Sequence, residues 1–170
     1  TPASNAFGAT LNAFTVKAED DDSDLSATAI QAQVEVVDVN DIPTLTAFAA
    51  VIDTTNEDTE VELTFAELNA QGDEADVDGT VDGYVVQVVS TGTLKIGANA
   101  GAATAFAGGS NDTIDVTNNA YWTPASNAFG ATLNAFTVKA QDDDGDLSST
   151  AVQAQVEVID VNDIPTLTAF

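Results

Sequence analysis

Residues 1–48 of this chain return almost letter for letter as residues 123–170: the string TPASNAFGATLNAFTVKA opens at Thr1 and opens again at Thr123. Five positions differ between the copies, Glu19/Gln141, Ser23/Gly145, Ala27/Ser149, Ile30/Val152 and Val37/Ile159. A period of 122 residues is too long for a solenoid turn and close to the length of an independent domain, so the chain reads as a window on a tandem array. Near-identical domains in series serve reach or valency more readily than catalysis.

The repeat can be cut anywhere in its period, and Pro43 supplies a boundary. Proline lacks an N–H and biases its predecessor to extended geometry, which ends a strand. DVNDIP at Asp38–Pro43, repeated at Asp160–Pro165, is therefore read as a linker. Residues 1–43 become the C-terminal part of a preceding repeat, with linker 38–43. Residues 44–163 become one complete repeat, and 164–170 the linker end and the start of another. Because Thr1 falls in mid-repeat, no signal segment is expected in view.

Period-two alternation dominates the apolar stretches. Phe136, Val138 and Ala140 share one face; Val152, Ala154, Val156 and Val158 share another, with Gln153, Gln155 and Glu157 between. That pattern predicts half-buried antiparallel strands. Strands are also expected at 44–53, 59–66, 81–90, 92–97, 112–118 and 130–140, with a brief helix at Phe65–Ala70. About seven short strands in one domain length indicate an all-β sandwich, with a barrel as the alternative. No cysteine is present, so the core holds without disulfides.

Twenty-eight acidic residues against three lysines give a formal charge of -25. This excludes nucleic acid as a partner, and self-repulsion on that scale destabilises a compact state unless cations offset it. No stretch approaches the ~20 apolar residues of a membrane helix. With no His or Cys, Ser–His and Cys–His nucleophiles are absent. A paired-carboxylate hydrolase would need an acid in a shielded pocket, whereas these carboxylates fall in polar turns, so no enzyme is expected. Tyr121-Trp122 reads as core or a strand-end plug rather than a ligand platform, and Gly97–Gly109 as a surface loop rather than a flat binding face.

Three acidic strings mark predicted turns of the complete repeat: Glu57-Asp58, Asp73–Gly79 (with Asp76 and Asp78) and Asp142–Asp146. Carboxylates at alternate positions with a bend in the backbone suit calcium, which takes six to eight oxygens at about 2.3–2.6 Å. Asp142, Asp144 and Asp146 have that spacing around Gly145, as do Asp20, Asp22 and Asp24 around Ser23. The competing account is a solvated acidic surface of halophilic type. Strand parity adds to the calcium reading. A strand descending from the linker puts Glu57 and Asp58 at the far pole, beside the outgoing linker Asp160, Asn162 and Asp163. It returns Asp73–Gly79 and Asp142–Asp146 to the leading pole, beside Asp38, Asn40 and Asp41. Several calcium ions would then sit at the domain junctions.

The linker DVNDIP resembles the Asp/Asn-rich linker of cadherin repeats. The stretch from Tyr121 through Pro165 is similar throughout to the second half of cadherin-like, immunoglobulin-like repeats in giant bacterial adhesins of the repeats-in-toxin type, and NEDTEVELTFAEL resembles their domain start. The resemblance implies an immunoglobulin-like (cadherin-like) Greek-key sandwich and calcium at Asp38, Asn40, Asp41, Glu57, Asp58, Asp76, Asp78, Asp142, Asp144 and Asp146. It further implies type I secretion to the cell surface and a role as an extender that projects an adhesive tip for attachment and biofilm formation. The partners would be neighbouring repeats of the same polypeptide. The rival reading is a calcium-dependent module that binds a glycan or a surface.

A last expectation concerns residues 1–43, which hold only the closing strands of a sandwich and would leave an apolar face and strand edges open. The segment cannot readily close its own chain's domain, because five residues span only about 17 Å. It is expected to be disordered or exchanged with another copy of the chain.

Overall fold

The computed structural model describes residues 1–167, so the expected start of another repeat lies partly outside the described residues, at Thr168, Ala169 and Phe170. Two compact units are present, Thr1–Asp41 and one that begins at Ile42.

The first unit is a two-stranded antiparallel hairpin of β1 (Gly8–Val16) and β2 (Ile30–Val36). Its ladder is reinforced by glutamine side chains: Gln31 Nε2 donates to the Phe14 carbonyl at 2.9 Å, and Gln33 Nε2 donates to Asn12 Oδ1 at 3.0 Å. The ladder is irregular between Gly8 and Leu11 and between Asn12 and Phe14, and Phe14, Val16, Ile30 and Val34 lie exposed.

The second unit contains β3 (Asp53–Asn56), β4 (Val61–Leu63), α1 (Phe65–Gln71), β5 (Val81–Val89), β6 (Thr93–Gly97), β7 (Thr104–Ala105), β8 (Thr113–Asp115), β9 (Asn119–Thr123), β10 (Gly130–Asp142) and β11 (Val152–Ile159). One sheet runs in the order β3-β11-β10-β5-β8 and the other β4-β9-β6-β7. Both feed one core, with Phe136, Val138, Val156 and Tyr84 from the first sheet meeting Trp122, Leu63, Leu94 and Ile96 from the second. The fold is all-β and sandwich-like, and the alternation in β10 and β11 buries the faces that the sequence assigns to the core.

Three details depart from the sequence reading. Nine strands rather than about seven occur among the described residues of this unit. The stretch 44–53 is not a strand over its length. Asp73 Oδ1 accepts the amides of Thr46 (2.8 Å) and Ala47 (3.0 Å), so those donors are withdrawn from any ladder, and ahead of β3 at Asp53 the stretch makes only isolated bridges, Thr44 to Ala75 and Phe48 to Gly72. Finally, β3 pairs with β11 in parallel, from Asp53 opposite Val156 to Asn56 opposite Ile159, where antiparallel pairing alone is expected.

The helix lies as expected. Thr64 caps it, its hydroxyl accepting the Glu67 amide while Glu67 Oε2 accepts the Thr64 amide at 2.8 Å. This reciprocal capping box satisfies two donors that a helix start otherwise leaves orphaned and seats Leu68 in the core.

Candidate functional site

Strand β10 sets the two poles of the second unit. Its first residue, Gly130, pairs with Val158 and its last, Asp142, with Val81. Thirteen residues at ~3.3 Å each separate these ends by about 40 Å.

The leading pole gathers two of the acidic strings. Asp76 Oδ1 accepts the amides of Asp78 (3.2 Å) and Gly79 (3.1 Å), which folds the first loop around its own carboxylate. The second turn is built alike: Asp142 Oδ1 accepts the amides of Asp144 (3.1 Å) and Asp146 (2.7 Å), and Gly145 adopts the left-handed φ of 90°. Asp143 joins the two loops. Its amide donates to the Thr80 carbonyl at 3.1 Å, and its Oδ1 accepts the Thr80 amide at 2.8 Å, which holds the carboxyl below the usual range. Thr44 and Ala75 exchange backbone hydrogen bonds of 2.8 and 3.1 Å, so the start of this unit runs beside the same loop.

The far pole holds Glu57 and Asp58. Glu57, only 7% exposed, accepts the Val161 amide on Oε1 at 2.6 Å, and its own amide donates to the Ile159 carbonyl at 2.9 Å. Asp58 Oδ1 accepts the Asn127 amide at 3.1 Å. Glu57 therefore grips the chain as it leaves β11, just ahead of Asn162 and Asp163, where the Asn162 amide group donates to the Asp163 carbonyl at 3.3 Å. Asp160 lies within the gripped stretch.

In the first unit the Asp20–Asp24 turn repeats the geometry of its partner copy: Asp20 Oδ1 accepts the amides of Asp22 (3.2 Å) and Asp24 (2.8 Å). Ser23, standing where the other copy has Gly145, also takes a left-handed φ, 71°, so the substitution leaves the turn type unchanged. Asp38 accepts the Val39 amide on Oδ1 at 3.1 Å; Asn40 and Asp41 close this unit.

Asp73 acts differently from its neighbours. Both its oxygens are engaged by Thr46 and Ala47, with the Thr46 hydroxyl on Oδ2. That hydroxyl first, and then the two amides, pull its carboxyl down to about 2. The position passed over in the sequence is Glu74. The Oδ2 of Asp76 is buried without a hydrogen-bond partner, and Glu74 Oε2 and the Tyr84 hydroxyl are buried without a well-formed one, although the hydroxyl interacts with the Glu74 carboxylate. Burial pushes the Tyr84 phenol up, and the negative charges of Glu74 and Asp73 act the same way. The signal for Glu74 is in the spacing: Glu74, Asp76 and Asp78 satisfy the alternate-position rule, and Asp73 does not.

The oxygens offered at these poles are hard ligands, and a buried carboxylate oxygen at the leading pole, Asp76 Oδ2, has no hydrogen-bond partner, a set that fits a hard divalent cation. Among the described residues, no three carboxylates are gathered into a ready cage, and no helix is long and apolar enough to cross a membrane. Neither the protein-family models nor the curated proteins give a match to this chain.

Proposed function

We propose that this chain is a tandem extender: an immunoglobulin-like, cadherin-like Greek-key sandwich repeat that calcium stiffens, acting as a spacer in an extracellular bacterial surface adhesin of the repeats-in-toxin type. The observation that carries the reading is the pairing of acidic strings with both poles of one unit, Asp76 and Asp142 at one end and Glu57 at the other, each beside the chain that enters or leaves. A module that grips a ligand at one end has no use for matched carboxylates at both.

Calcium, when bound, supplies a multivalent positive centre that several carboxylates share. The chain's own residues do the rest. At the leading pole of the second unit Glu74, Asp76, Asp78, Asp142, Asp144 and Asp146 would hold it. Asp143 keeps the two loops in register through Thr80, and Glu57 fixes the direction in which the outgoing linker departs. Asp73, occupied by Thr46 and Ala47, braces the loop rather than completing the shell. Extracellular calcium modules bind with Kd of about 0.1–1 mM, so a repeat of this kind would be loaded outside a cell and empty inside it.

Small-angle scattering on a polypeptide of several repeats in series tests the reading. Calcium is expected to lengthen and straighten it, and a maximum dimension that chelation leaves unchanged overturns the clamp.

A further inference from the structure

The β1–β2 hairpin carries a second proposal, which concerns what covers its apolar face. Its register is that of β10–β11 pair for pair: Gly8 opposite Val36, Leu11 opposite Val34, Phe14 opposite Ala32 and Val16 opposite Ile30, against Gly130 opposite Val158, Leu133 opposite Val156, Phe136 opposite Ala154 and Val138 opposite Val152. The ladder irregularities fall at the same places. The polar bracing also repeats, with Ser26 Oγ accepting the Ala18 amide at 3.1 Å as Ser148 Oγ accepts the Ala140 amide at 3.1 Å. Only burial differs. Phe14, Val16 and Val34 are 59%, 47% and 42% exposed, whereas Phe136, Val138 and Val156 are fully buried. A concavity of about 560 Å³ on the hairpin, lined by Pro2, Leu11, Phe14, Val34 and Val36 among others, remains open.

We infer that this face is a preformed docking surface for one occupant: a sandwich body with the sequence of residues 43–122. The second unit shows what such a body supplies. Its β5 pairs with β10 along one edge, its β3 pairs with β11 along the other, and Trp122 and Leu63 belong to the core that covers the face between. Each of these contacts has a matching acceptor on the first hairpin: where the copies differ along it, at Ile30/Val152 and Val37/Ile159, one aliphatic residue replaces another. A second copy of this chain is a poorer occupant for a reason of stoichiometry. Every chain carries two closing hairpins and one body, so exchange between copies only transfers the exposure from one hairpin to another. The hairpin is thus a closing module whose strand pairing is complete within Thr1–Asp41. The inference rests on the tandem-repeat part of the function proposed above and not on its calcium part.

The experiment compares residues 1–170 with the same chain extended by residues 43–122 fused directly before Thr1, as Trp122 precedes Thr123. Amide hydrogen exchange and binding of an apolar-surface dye are followed in chelator and again in calcium. Strands β10 and β11 serve as the internal standard of a folded unit. In the extended chain the amides of β1 and β2 are expected to slow by about a hundredfold or more, toward the level of β10 and β11, and dye binding to fall. Phe14→Asp in the extended chain should abolish that protection while β10 and β11 keep theirs. The proposal is overturned if the hairpin of the extended chain stays as unprotected as in the shorter one. It is equally overturned if the hairpin of 1–170 is already protected in a species of doubled mass, which makes the second copy its occupant. Protection gained in chelator alone separates this result from the fate of the calcium reading.

Discussion

Gly145 and Gly92 both hold left-handed backbone, at φ 90° and 68°, yet substitution should cost them differently. A Cβ at Gly145 would meet only Gln141 Nε2 at 4.0 Å, so Gly145→Ser faces backbone strain alone, about 1–2 kcal/mol. The serine at the equivalent Ser23 shows that the turn survives it. At Gly92 a Cβ would lie 2.1 Å from the Thr123 carbonyl, a collision with main chain that cannot move without disturbing β9. Chemical denaturation of the second unit should therefore find Gly92→Ala clearly more damaging than Gly145→Ser; equal losses would contradict the geometry. Asp73 gives a second residue-scale expectation, in pH. Its folded carboxyl is lowered from the ordinary 3.8 to about 2. The stability it contributes is present above pH ~4 and disappears as pH falls toward 2. In Asp73→Asn, melting temperature at pH 7 should drop, and its fall between pH 4 and 2 should become shallower than in the parent.

Among the elements, β9 is the least expected from sequence and the most deeply seated. Ala120, Tyr121 and Trp122 are consecutive and all buried, so no period-two signal marks them. Tyr121 is held on the outer face by a 2.6 Å hydrogen bond from its hydroxyl to Glu62 Oε1, and Trp122 Nε1 donates to the Thr91 carbonyl at 2.7 Å on the inner one. Truncating Trp122 to alanine should cost about 3–5 kcal/mol, a large part of the 5–15 kcal/mol typical of a domain. Loss of the cooperative urea transition of the second unit, or a midpoint shift of that size, is the expected readout. By contrast, β10 and β11 are legible in sequence because each has one dry face and one wet face, and the helix is legible because Thr64 and Glu67 form its capping box. The stretch 44–53 misleads for a tertiary reason. Its alternation is real, but a carboxylate 26 residues or more downstream, at Asp73, takes its amides. Glu74 shows in its spacing from Asp76 and Asp78, but its burial beside Tyr84 is tertiary and leaves no mark in the sequence.

At the scale of the whole molecule, the charge of -25 allows the calcium reading and the solvated-surface reading to be set apart in solution. Among the described residues one ion pair, Lys95 to Glu60 at 2.6 Å, offsets it, so most of the repulsion is left to the solvent. Screening by monovalent salt acts on that repulsion generally, with a Debye length of about 10 Å at 0.1 M, and does not distinguish one carboxylate from another. A bound divalent cation acts locally and stabilises by mass action, about 2.7 kcal/mol at a hundredfold excess over its Kd. Calcium at a few millimolar should therefore raise the melting temperature well beyond sodium chloride at matched ionic strength, with magnesium weaker because it resists dehydration and demands a stricter geometry. Asp76→Asn combined with Asp142→Asn should remove the calcium increment and leave the sodium response in place. Should sodium chloride reproduce the whole calcium effect, the carboxylates at the poles are a solvated acidic surface, and the stiffness of such an array would have to come from its linkers alone.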